Sequence, residues 1–104
     1  MTDPYTFWRA KIDELDRKLV RLLVERAACA VEIGRIKLER GEGVYDPQRE
    51  EEVMANVKAH RDGYLDDKAI QRIFERIIDE TRRIEREHRK ALLAGEAAER
   101  EVQS

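Results

Sequence analysis

Three cations are the first sign of chemistry in this chain: Arg9, Arg26 and Lys37, set on or beside a stretch that is otherwise apolar. Trp8, Ile12, Leu15, Leu19, Leu22, Arg26, Cys29, Ile33 and Ile36 recur at spacings of four and three. A period of about 3.5 residues places them along one face of a helix. Apolar members of that face can join a core, but a buried guanidinium is costly unless an anion meets it. The spacing therefore predicts that something negative comes to Arg26, either a carboxylate from another helix or an anionic ligand. Lys37 follows Arg26 by three helical turns, so the two share a face within about 20° and lie about 16 Å apart along the axis. Two long side chains directed toward each other can touch one small ligand between them. Arg9 lies about 25 Å from Arg26 on the same helix. It reaches the same ligand only from an antiparallel second copy, so a composite site needs two chains.

Taken singly, each residue has a plainer reading. Arg9 and Lys37 read as solvated surface residues, Asp46 as a helix cap, and Arg49 and Glu50 as first-turn residues in water. Spacing alone supports an anion-binding helical dimer and goes no further. His60 and His88 are far apart, lack a Cys or His partner at ligand spacing, and read as surface residues. There is no glycine-rich phosphate loop. The lone Cys29, in the apolar series, reads as a small buried residue in a reducing cytoplasm, neither a disulfide partner nor a nucleophile.

The elements that must position these side chains are helices. Only Gly34 interrupts Tyr5 to Arg40, so a helix of roughly 36 residues would be about 54 Å long. A compact globule of this chain length has a radius of gyration near ~13 Å, and such a helix does not fit inside one. The same helix from a second copy is the simplest cover for its seam, which predicts an interlocked homodimer. Thr2 or Asp3 can cap this helix, with Pro4 at its first position. Gly41 to Gly43 stops it, and Asp46-Pro47 starts a second helix to about His60, with Val53, Met54 and Val57 as its apolar face. Asp62-Gly63 turns the chain, and Asp66 or Asp67 can cap a third helix carrying Ile70, Ile73, Phe74, Ile77, Ile78, Thr81 and Ile84. From Glu85 onward the sequence is highly charged and reads as a helical extension that frays, with Gly95 a weak point.

Composition agrees with an all-α chain of one domain: 104 residues, 41% apolar, 42% charged and 6% aromatic, with two prolines. A monomer of this size has a thin core, which oligomerisation would supplement. The net charge of -2 comes from 21 basic and 23 acidic residues mixed along the chain. No basic block points to nucleic acid or to a membrane surface. No apolar run approaches a membrane span, and the N-terminus lacks the pattern of a secretory signal, so a cytoplasmic protein is expected.

Taken together, Ile12 to Asp16, Leu22-Leu23, Glu25-Arg26, Val31 to Gly34, Lys37, Val44 to Glu50, Ile73-Phe74 and Ile77-Ile78 resemble the all-helical chorismate mutase family. No one motif carries the resemblance; the ordered set and its gap lengths do, over about residues 5 to 88. It implies a mutase domain over 1–88, with 89–104 a charged helical extension. It also implies three helices per chain, a long N-terminal helix, and an intertwined homodimer with two equivalent sites. The reaction implied is the Claisen rearrangement of chorismate to prephenate, on the route to phenylalanine and tyrosine, with no cofactor, metal or covalent intermediate. By similarity, Arg26 and the second chain's Arg9 hold carboxylates, and Lys37 reaches the ether oxygen and a carboxylate. Asp46, partly through its backbone, and Glu50 bind the ring hydroxyl, with Arg49 in support. Thr81 sits near the ring carboxylate, and Ile33 and Ile78 form apolar walls.

One position departs from the bacterial pattern. The residue one turn after Thr81, often a Gln that donates to the ether oxygen, is Glu85 here. As a carboxylate it cannot donate; as a neutral acid it can. An offset alignment, with Glu85 solvated and the donor supplied elsewhere, is the other reading. Three alternatives to the mutase stay open: a lyase acting on isochorismate in the same fold, a regulatory mutase domain docking on another shikimate-pathway enzyme, and a helical dimer without catalysis.

Overall fold

The structure is a computed structural model and describes residues 3–103. It consists of three helices, α1 (Pro4–Glu39), α2 (Pro47–Ala59) and α3 (Asp67–Gln103), and no strand is present among the described residues. The helix limits expected from sequence hold to within a residue for α1 and α2, because the stop and start signals act locally. α1 ends in a Schellman motif: Glu42 N–H donates to the Lys37 carbonyl at 2.8 Å and Gly41 N–H to Leu38 at 3.1 Å. Gly41 makes this possible with φ of 71°, in the left-handed region that costs a Cβ-bearing residue more. Asp46 caps α2 by accepting from Arg49 N–H at 3.1 Å, with Pro47 at the first helical position. Asp66 caps α3 through Ala69 N–H at 2.8 Å. Asp3 makes no side-chain cap to α1; its carboxylate instead accepts from the Thr6 hydroxyl at 3.4 Å. Thr2, the other candidate cap, lies outside the described residues.

The packing is uneven. The second half of α1 lies on the middle of α3, and the two run in the same direction: Arg26 meets Thr81, and Lys37 meets Glu85. α2 returns antiparallel along α3, pairing Glu50 with Arg82 and Lys58 with Gln71. Gly34 leaves room for the Glu85 side chain on α3, since a Cβ there would stand 3.4 Å from Glu85 Cγ. Among the described residues only Ala30, Gly34, Ile78 and Glu85 are buried. Among the described residues nothing covers the apolar face of α1 from Trp8 to Leu22: Trp8 is 63% exposed, Leu19 55% and Leu22 60%. The chain accordingly spans 72 × 32 × 15 Å with a radius of gyration of 19.1 Å, well above the ~13 Å of a compact chain of this length.

α3 passes Gly95 without a break and continues to Gln103. Two sequence readings need correction. Cys29, expected to be buried, is exposed in the single chain, at the edge of the cavity between the helices. His88 is half-buried rather than on the surface, with its Nε2 out of solvent, whereas His60 is exposed and its Nδ1 lies 2.8 Å from the Asn56 carbonyl.

Candidate active site

Where α1, the 40–46 link, α2 and α3 converge, they enclose a cavity of about 220 Å³. Arg26, Ile33 and Lys37 come to it from α1, Asp46, Arg49 and Glu50 from the start of α2, and Ile78, Thr81 and Glu85 from α3. These nine are the residues that the resemblance implied, apart from Arg9. Arg9 is exposed on the free half of α1, its guanidinium 5.2 Å from the Tyr5 ring. Cys29, Ala30, Val44, Val53 and Arg82 also line the cavity.

Arg26 decides what the cavity is for. Its Nη1 donates to Thr81 Oγ1 at 2.6 Å, and among the described residues no carboxylate lies within ion-pair distance of it. The acid from another helix that would have satisfied this cation is therefore absent, and the guanidinium keeps further donors for an incoming anion. Thr81 fixes its direction. The Thr81 hydroxyl accepts from Arg26 and donates its one proton to the Ile77 carbonyl at 2.8 Å. In this arrangement Thr81 orients Arg26 and has no proton left for a ligand.

Lys37 Nζ donates to the Val44 carbonyl at 3.0 Å and lies 3.5 Å from Glu85 Oε1. Both side chains are shielded, Lys37 at 13% and Glu85 at 5% exposed. An ammonium group has three protons, so one of them remains for a ligand. Asp46 spends one carboxylate oxygen on the helix cap, as its plainer reading required. The Arg49 guanidinium turns to Glu52 at 3.3 Å on the exposed side of α2. Glu50 is paired with Arg82 at 2.9 Å. The sequence reading passed over Arg82, because nothing at residues 81 to 85 marks which side chain turns toward α2 until the helices are packed.

A three-helix chain with one long uncovered apolar helix, and a cavity that Arg26 and Lys37 line together with apolar side chains, defines a class: an all-α protein with a charged cavity between its helices. The chain belongs to the family described as chorismate mutase type II, which it matches over residues 8–86. It is 36% identical over 93 residues to the bifunctional chorismate mutase/prephenate dehydratase of Pseudomonas aeruginosa, an overlap covering 85% of this chain and 26% of that protein. With the chorismate mutase of Methanocaldococcus jannaschii it shares 28% identity over 81 residues, covering 77% of this chain and 82% of the relative. The chain thus spans about a quarter of the bifunctional relative and most of the single-function one. Among solved structures, chorismate mutase (form II) from Thermus thermophilus superposes with a TM-score of 0.78 at 34% identity, covering 81% of this chain and 96% of that one. Chorismate mutase from Helicobacter pylori in complex with prephenate gives 0.77 at 27% identity, with 83% and 93% covered.

Proposed function

We propose that this chain rearranges chorismate to prephenate, and that it does so as a homodimer in the cytoplasm. The observation that carries the reading is Arg26, a cation without a carboxylate partner among the described residues, held toward a cavity that Lys37 enters from the other end. The substrate is a dianion and its rearrangement is unimolecular. The protein has only to hold a compact conformer and stabilise charge on the breaking ether oxygen. Arg26 takes one carboxylate, and the free proton of Lys37 serves the ether oxygen and a carboxylate. Ile33 and Ile78 exclude water, which strengthens both interactions. Glu50 and the backbone at Asp46 take the ring hydroxyl, Arg49 turns in from Glu52 to support them, and Glu85 donates to the ether oxygen when protonated.

The dimer is supported by the uncovered half of α1. Trp8, Ile12, Leu15, Leu19 and Leu22 form an exposed apolar stripe longer than single soluble chains ordinarily leave in water. A second α1 running antiparallel would cover it and bring Arg9 of the partner subunit to the cavity. The volume of about 220 Å³ is below the ~300 Å³ at which ligand clefts usually begin, as suits a site that still lacks one wall. Among the described residues no helix is long and apolar enough to cross a membrane, and a cytoplasmic location rests on the single unpaired thiol.

The test is loss of chorismate absorbance across pH 5 to 9, with prephenate identified as product and Arg26→Ala alongside. Conversion by the wild-type chain that falls by about 10²–10³-fold in Arg26→Ala is expected, since one preorganised donor is worth that much. A folded dimer that leaves chorismate intact at every pH would refute the proposal.

A further inference from the structure

A carboxylate in a site built for a dianion is an electrostatic liability, and Glu50 is such a carboxylate. It lines the cavity at the start of α2. Its Oε2 lies 2.9 Å from Arg82 Nε. The Nε proton does not point at that oxygen, so the contact is an ion pair rather than an aligned hydrogen bond. The Arg82 guanidinium is itself held in place: Nη2 donates to Asp79 Oδ1 at 2.8 Å, and the group lies 5.7 Å from the Tyr45 ring centre. Glu50, Ile78 and Arg82 also form the wall between this cavity and a second hollow lined by Tyr45, Met54, Glu75 and Asp79. Arg82 thus stands beside Glu50 on the cavity wall, with its charge shared between the Glu50 and Asp79 carboxylates.

We propose that Arg82 is a positioning residue for the rearrangement: it offsets part of the charge of Glu50, so that this side chain accepts from a ring hydroxyl with less repulsion of the substrate dianion. The proposal rests on the mutase reading. Arg26 and Lys37 meet the ligand's anionic groups directly, whereas Arg82 acts through Glu50. A hydroxyl contact is the same in the ground state and the transition state, so losing the compensation raises KM and leaves kcat nearly unchanged. The pair is about a quarter exposed, 29% for Arg82 and 25% for Glu50. Screening by water limits the expected rise in KM to on the order of tenfold.

The experiment is a double-mutant cycle on chorismate kinetics in the whole chain, with Arg82→Gln, Glu50→Gln and the double variant, plus Arg82→Lys. Circular dichroism melts confirm that each is folded. Arg82→Gln should raise KM about tenfold, and Arg82→Lys, which keeps the charge, by no more than about threefold. In the Glu50→Gln background the Arg82→Gln effect should vanish, because no carboxylate remains to be compensated. A purely structural role, or direct contact of Arg82 with substrate, would leave the Arg82→Gln effect intact in that background and overturn the inference. So would an unchanged KM in the single variant of an active enzyme. No conversion by the wild-type chain would remove the mutase reading itself and the inference with it.

Discussion

Glu85→Gln separates two roles that one carboxyl group plays. In the structure Glu85 Oε1 lies 3.5 Å from Lys37 Nζ, and both groups are shielded. At an effective dielectric constant near 20 their attraction is about 5 kcal/mol. Desolvation offsets much of this. The amide keeps a carbonyl acceptor for Lys37, which also holds the Val44 carbonyl at 3.0 Å. The net cost in folding stability should therefore be about 1–3 kcal/mol, read from urea unfolding at pH 7. The catalytic consequence has the opposite sign at high pH. If the ether oxygen takes a proton donor from this position, only the neutral acid serves. A carboxylate cannot donate, so wild-type kcat should fall toward high pH. The amide donates at every pH, so its profile should be flat within about threefold from pH 5 to 9, and at pH 9 the variant should outperform the wild-type enzyme. A variant that keeps the wild-type slope would refute the donor role, and unchanged urea stability would refute the ion pair's contribution.

Two further outcomes are expected. Leu19→Glu places a carboxylate on the exposed seam of α1, twice in a symmetric dimer; losing two buried leucines weakens association by about 3–6 kcal/mol. Sedimentation should show monomers at micromolar concentration with activity lost, and an active monomer would contradict the shared site. Arg83→Ala should blunt the acid sensitivity of folding. The hydrogen bond from Arg83 holds the Glu80 carboxyl below its ordinary value of 4.5. A lowered folded value means that the contribution is complete above 4.5 and is lost as pH falls through the lowered value. Melting temperatures from pH 6 to 3 should fall less steeply in the variant, and identical slopes would show that the pair contributes nothing.

Most of the architecture was legible in the sequence because its signals are local. Gly41 closes a Schellman motif and Asp46-Pro47 opens a helix whatever lies nearby, so α1 and α2 end where the pattern says. The apolar period of α1 marked the seam, and its length showed that one chain has too little to cover it. Cys29 is exposed in the single chain for that same reason: the seam predicts burial there only with a partner surface in place. His88 was misread because its cover comes from the fold and leaves no mark on its neighbours in sequence.

The site divides along the same line. Arg26 and Lys37 share a face by arithmetic alone, and the requirement that Arg26 meet an anion follows from the cost of burying charge. Local pattern thus specifies a long helix with two cations on one face and an unmet need for negative charge. Whether a protein carboxylate fills that need depends on which side chains α3 presents, and packing of the helices settles it. It put the Thr81 hydroxyl, not an acid, on Arg26, and it set Glu85 against Lys37 and Arg82 behind Glu50. These pairings join residues 32 to 55 positions apart. Nothing along the chain fixes such contacts until the helices choose their rotation and register, and apolar burial at Ala30, Gly34 and Ile78 makes that choice.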